Sequence, residues 1–135
     1  MLMPEAINEN ELRQYSAVVL AFVGDAVFEL LVRSRLVAHG QRKVKELHLD
    51  TVSRVKAASQ AKMVQGLSSQ LTEVEQEIFR RGRNAKTSPP RHADISDYRL
   101  STGFEAVLGY LYLKGDMERL QYLANLALDN EDKPV

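Results

Sequence analysis

Apolar residues recur along this 135-residue chain at helical rather than strand spacing. Alternating Thr/Tyr/Ile runs and Asn-Gly or Asp-Gly hairpin turns, the marks of strands, are scarce or missing. The pattern predicts a first long helix from about Leu12 to Ala38, with Gly40 as its left-handed terminator. Between Ala17 and Val32 this helix is apolar on nearly every face, so it is expected at the centre of the fold. Residues 43–67 predict a short turn of helix and then a longer one opened by Asp50 or Thr51. Val52, Val55 and Val64 form its apolar stripe, and Gly66 stands near its end. Thr72 and Glu75 form a capping box for the next helix, which is expected to stop at Gly82.

The loop RNAKTSPPRHADIS follows, where Pro89-Pro90 forbids helix. Ser96 or Ser101 then opens a helix through Tyr112, stopped by Gly115. Asp116 caps a last helix whose buried stripe is Leu120, Leu123, Leu126 and Ala127, and the polar tail DNEDKPV is expected to fray. With no repeat, low-complexity run or linker, residues 1–135 read as a single all-α domain.

Composition narrows the possibilities. At 44% hydrophobic and 27% charged residues the chain has a globular make-up. No apolar run approaches the ~20 residues of a membrane span. The start, MLMPEAINENELRQ, is acidic, unlike a signal or transit peptide. Without cysteine there is neither a disulfide framework nor a thiolate metal site, and an intracellular, cytoplasmic setting is expected. Eighteen basic residues balance eighteen acidic ones, yet a sum conceals where charges sit.

Two acids break the helix logic around them. Asp25 lies in LAFVGDAVFELL beside Gly24, and Glu105 lies in STGFEAVLGYLYL, two residues from Gly103. A lone carboxylate in an apolar helix is expected to be buried, and a buried one needs a partner or a proton. Such violations gather at functional sites. The alternative is structural: such a carboxylate is simply half exposed, or pairs with an arginine, since Glu29 and Arg33 follow Asp25 at one-turn steps and offer an ion-pair ladder, and the glycines mark close helix packing.

Positive charge concentrates in RRGRNAKTSPPR, where Arg80, Arg81, Arg83, Lys86 and Arg91 stand without an acid. Guanidinium forks suit phosphate oxygens, and Asn84, Thr87 and Ser88 add neutral hydrogen-bonding groups. A solvated face is the competing reading. A looser cluster holds Arg42, Lys43, Lys45, Arg54, Lys56 and Lys62, diluted by Glu46 and Asp50. His39, His48 and His92 lack metal-ligand spacing, and Tyr98, Phe104, Tyr110 and Tyr112 read as core and interface. No phosphate loop, dinucleotide fingerprint or nucleophile elbow occurs. Carboxylates from two helices beside a basic segment suit metal-assisted phosphodiester cleavage, in which oxygen ligands hold Mg²⁺.

LAFVGDAVFELLVR resembles the signature helix of the ribonuclease III family, and TGFEAVLGYLYL resembles its second catalytic helix. The resemblance runs from about Leu12 to Leu128. Together with RRGRNAK and the short length, it is similar to the Mini-III subgroup, which lacks a double-stranded-RNA-binding domain. It implies a ribonuclease III-like helical endonuclease fold with Asp25 and Glu105 as catalytic metal ligands for Mg²⁺. Ala21 and Thr102 stand where the wider family carries two further acids, an absence shared with the subgroup. Two carboxylates suit one Mg²⁺ with several waters better than two ions.

The resemblance also implies a homodimer gripping an RNA duplex, with Arg80, Arg81, Arg83, Asn84 and Lys86 on the RNA. The implied substrate is the stem joining the two ends of precursor 23S ribosomal RNA, with a ribosomal protein as possible helper. Two rivals remain: a non-catalytic RNA- or ribosome-binding module, and a helical protein–protein adaptor. Keeping Asp25 and Glu105 argues against the first, and the arginine-rich loop against the second.

Overall fold

The computed structural model describes residues 5–132. Seven α-helices and one 3-10 turn account for its regular structure: α1 Glu9–Leu12, α2 Ala17–Ala38, α3 Val44–Val55, α4 Ala57–Gln65, the turn Ser68–Gln70, α5 Glu73–Arg83, α6 Ile95–Lys114 and α7 Met117–Asp132. The all-α expectation holds among the described residues. Helix α6 is the hub, packing against α2, α4, α5 and α7. Ten of its residues, from Ser101 to Leu111, are buried. Phe28 of α2 meets Phe104 of α6 edge-on at 5.2 Å, in a core that also takes Leu20, Met63, Leu108 and Leu123.

Local signals set most helix ends where the sequence puts them. Thr72 accepts from the Glu75 amide at 3.2 Å while the Glu75 carboxylate accepts from the Thr72 amide at 3.0 Å. Glu75 has a second task. Burial pushes its carboxyl up, but Arg119, bonded at 2.8 and 3.0 Å, and the Thr72 amide outweigh that and hold it below the ordinary value. Gly115 ends α6 in the left-handed conformation at φ 88°, and Asp116 caps α7 by accepting from Arg119 N–H at 3.1 Å.

Other expectations need correction. The first helix is broken, because Ser16 caps a fresh start by accepting from Val19 N–H at 3.2 Å. The 43–67 segment divides at Lys56, not near Asp50. There the Gln60 amide and the Ser59 hydroxyl take the carbonyls of Val55 and Ser53 that α3 leaves unpaired. Helix α5 runs one residue past Gly82 to Arg83. Helix α6 starts at Ile95 because Asp94, rather than Ser96 or Ser101, accepts from the Asp97 amide at 2.9 Å, and it continues to Lys114. Residues 129–132 of the supposedly frayed tail continue α7, while residues 133–135 lie outside the described ones.

The largest departure concerns α2. It is central, but one face is open: Val18, Val19, Phe22, Leu30 and Val37 are all exposed, Phe22 by 80%. Val52 of the expected α3 stripe is exposed as well.

Candidate active site

Helices α2 and α6 touch backbone to backbone. A methyl group on Gly24 would collide with the Glu105 carbonyl oxygen and lie 2.9 Å from the Gly109 nitrogen. One on Gly109 would collide with the Leu20 carbonyl and lie 3.0 Å from the Gly24 nitrogen. The two glycines are thus reciprocal, each making room for the opposite helix. This approach sets Asp25 beside Glu105, and the two carboxyl groups share a hydrogen bond.

The two acids are not equally buried. Asp25 is exposed, contrary to expectation, and Glu105 is half-buried. The core-facing arc of α2 is Ala17, Leu20, Ala21, Gly24, Val27, Phe28, Val32 and Leu36. One residue past Gly24 turns about 100° around the helix, which carries Asp25 to the rim of that arc. Burial is the chief cause that pushes the Glu105 carboxyl up to about 8. The hydrogen bond and charge of Asp25 add to it, and a bond from Gln60 opposes it. Metal-free at neutral pH, Glu105 therefore holds its proton.

The carboxylates open on a cleft of about 300 Å³ lined also by Ala21, Phe22, Thr87, Tyr98 and Thr102. Ala21 and Thr102, where the resemblance places missing acids, thus do face the same space. The Thr102 hydroxyl donates to the Tyr98 carbonyl at 2.9 Å. Tyr98, read from sequence as core or interface, is a half-buried wall of this cleft. Among the described residues no three His, Cys, Asp or Glu side chains gather to hold a metal. Two carboxylates in contact do fit a hard dication, since a dication offsets the like charges that otherwise keep a proton between them.

Next to it, a cleft of about 280 Å³ shares Thr87 and Tyr98 with the first and adds Asn84, Lys86 and Arg99. Asn84 and Arg99 belong also to a third, with Arg83. These shared walls set the three clefts side by side between Glu105 and Arg83. Asn84, Lys86 and Arg83 are exposed there. Arg80 is exposed but lines none of these three clefts. Arg81 is half-buried and donates to the Tyr15 carbonyl at 2.7 Å, tying α5 to the start of α2. Arg99 was not singled out from sequence, although no acid stands three or four residues from it to pair with it on α6.

The looser basic cluster behaves differently. Arg42 and Arg54 bind Asp50 at 2.8 and 2.9 Å, and Arg35 binds Asp129 at 2.7 Å, around a cleft of about 310 Å³. Arg42 and Arg54 thus serve structure, while Lys43, Lys45, Lys56 and Lys62 are exposed. The Glu29–Arg33 ladder forms too, at 3.0 Å, on the same helix as Asp25 but without involving it.

A fold and site of this kind define a class: the ribonuclease III domain matches residues 18–116, which include both carboxylates and the basic segment. The chain is 43% identical over 125 residues to the Mini-ribonuclease 3 of Thermoanaerobacter sp., covering 92% of this chain and 88% of that one. With the Mini-ribonuclease 3 of Symbiobacterium thermophilum it shares 47% identity over 82% of this chain and 85% of that one. A crystal structure of a protein from Fusobacterium nucleatum superposes with a TM-score of 0.79 at 30% identity, covering 90% of this chain and 98% of that one. The chain belongs to the ribonuclease III family, in its Mini-ribonuclease 3 group.

Proposed function

We propose that residues 1–135 act as a single nuclease domain, an endoribonuclease that hydrolyses phosphodiester bonds of double-stranded RNA with Mg²⁺ at Asp25 and Glu105. The observation that carries this reading is that Asp25 and Glu105 line one cleft, beside further clefts lined by Lys86, Arg99 and Arg83. Asp25 would hold the ion from the solvent side, and Glu105 would give up its proton to bind it, so loading would be favoured by rising pH. The chemistry such an ion supplies is charge neutralisation at the phosphate and acidification of the attacking water. Arg83, Lys86 and Arg99 hold the polyanion along these clefts, reading A-form shape and phosphates rather than base edges.

The exposed apolar face of α2 supports a homodimer, because Phe22, Leu30 and Val37 belong to a contiguous stripe that a second copy can cover. The likeness to the Mini-III subgroup directs the substrate reading to the 23S ribosomal RNA precursor stem, with a ribosomal protein as helper and the cytoplasm as the place of work. No helix among the described residues is long and apolar enough to cross a membrane.

A non-catalytic RNA-binding role is the second reading, favoured by Ala21 and Thr102 lining the cleft where acids are missing. Incubating the protein with a precursor 23S stem duplex, with Mg²⁺ or chelator, separates the two. Cleavage that requires Mg²⁺ and falls at least about a thousandfold in Asp25→Asn supports the nuclease. Tight binding without cuts supports the second reading. Light scattering of the active species reads the dimer as twice the 15.2 kDa chain mass.

A further inference from the structure

Gln60 is 2% exposed on α4, beside the buried Ala61, Met63 and Val64. A residue on this face has every packing reason to be apolar. Instead its amide nitrogen donates to Glu105 Oε2 at 3.2 Å and to the Val55 carbonyl at 2.8 Å, while its own Oε1 is buried with no partner. Both neighbours are acceptors, so the nitrogen must face them and the oxygen must turn away. A methionine fills the same space without an unpaired oxygen, so packing does not account for the glutamine. The Val55 bond ties up the carbonyl left at the end of α3 and thereby fixes where the amide stands. The second N–H is then aimed at Glu105, a residue forty-five positions away on the hub helix.

We propose that Gln60 is a positioning residue for the candidate metal site: by occupying one oxygen of Glu105 it holds that carboxylate facing Asp25. The inference rests on the reading of Asp25 and Glu105 as metal ligands. A glutamate side chain has three rotatable torsions, and a fixed donor on one oxygen removes most of that freedom before the ion arrives. Groups that orient a ligand in this way commonly contribute 10–100-fold to metal affinity.

Mn²⁺ serves as the probe, its binding followed by electron paramagnetic resonance on the full chain. Gln60→Met is expected to weaken Mn²⁺ binding about 10–100-fold. Metal-free duplex affinity should stay at the parental value, a readout that a disrupted fold would move. Should Gln60→Met fail to fold, Gln60→Asn, which keeps the amide but is one methylene shorter, is measured in the same way. A folded variant that binds Mn²⁺ as the parent does, while Asp25→Asn has lost it, overturns the role of Gln60 and leaves the site standing. Parental Mn²⁺ affinity in Asp25→Asn overturns the site itself, and with it the role of Gln60.

Discussion

At the α2–α6 crossing two backbones touch through Gly24 and Gly109, and the carboxylates are held by helices whose surroundings leave no slack. The chain from Asn84 to Asp94 contains no helix or strand, and Arg83 and Lys86 reach from its start into solvent. One region depends on exact separation, the other on charge alone. A metal-binding group displaced by an ångström loses its function, whereas a phosphate contact from a long flexible side chain tolerates such shifts. The contrast explains why glycine appears in the first region and arginine in the second.

If that contrast is right, Gly24→Ala should do the greatest damage. The added methyl meets backbone, which cannot step aside, so a loss of at least about 3 kcal/mol is expected, the top of the usual overpacking range. A thermal melt by circular dichroism checks this, and a parental melting temperature would break the picture of a backbone-tight crossing. The basic segment divides next. Arg81→Ala should cost roughly 1.5–3 kcal/mol of stability through its bond to the Tyr15 carbonyl. Arg83→Ala should leave the melt unchanged and lower the slope of log affinity against log salt by about 1 for the RNA duplex. Equal melting temperatures for the two variants would erase the distinction between a structural and a binding arginine.

The crossing also carries a pH dependence. Folded Glu105 titrates at about 8, against 4.5 for an ordinary glutamate. Between these values the unfolded chain has released a proton that the folded chain keeps, so metal-free stability falls as pH rises from about 5 to 8. The contribution is fully present below 4.5 and lost above 8. In chelator, Glu105→Gln should flatten that decline in melting temperature. Parallel pH profiles for parent and variant would show that Glu105 keeps no such proton.

What the sequence shows plainly is what is local. The Thr72–Glu75 box, the Asp116 cap and the Gly115 stop each depend on residues within one turn, and each sits where the reading places it. The break at Lys56 is invisible because neither proline nor glycine marks it; it depends on Gln60 and Ser59 reaching back to α3. Asp94 was passed over since Ser96 and Ser101 offer equally good caps. The open face of α2 hid for a different reason: an all-round apolar helix reads the same whether its last face meets its own core or another surface. Asp25 and Glu105 were legible as anomalies, but their contact was not, because it depends on a crossing that no spacing along the chain encodes. Arg99 and Gln60 escaped notice because they border the site from elements that carry no recognisable motif.

The reciprocity of Gly24 and Gly109 also bears on how such a chain can change over time. Each glycine accommodates the opposite helix's carbonyl, so adding a side chain to either gains nothing from a compensating change at the other, which is already the smallest residue possible. Every single step away from that pair therefore carries the full steric cost of the crossing. Ala21 and Thr102 line the cleft instead of the crossing, so a carboxylate at either would point into the cleft and leave the helix separation untouched. The number of acids around the candidate ion and the distance between the helices that carry them are thus set by different residues.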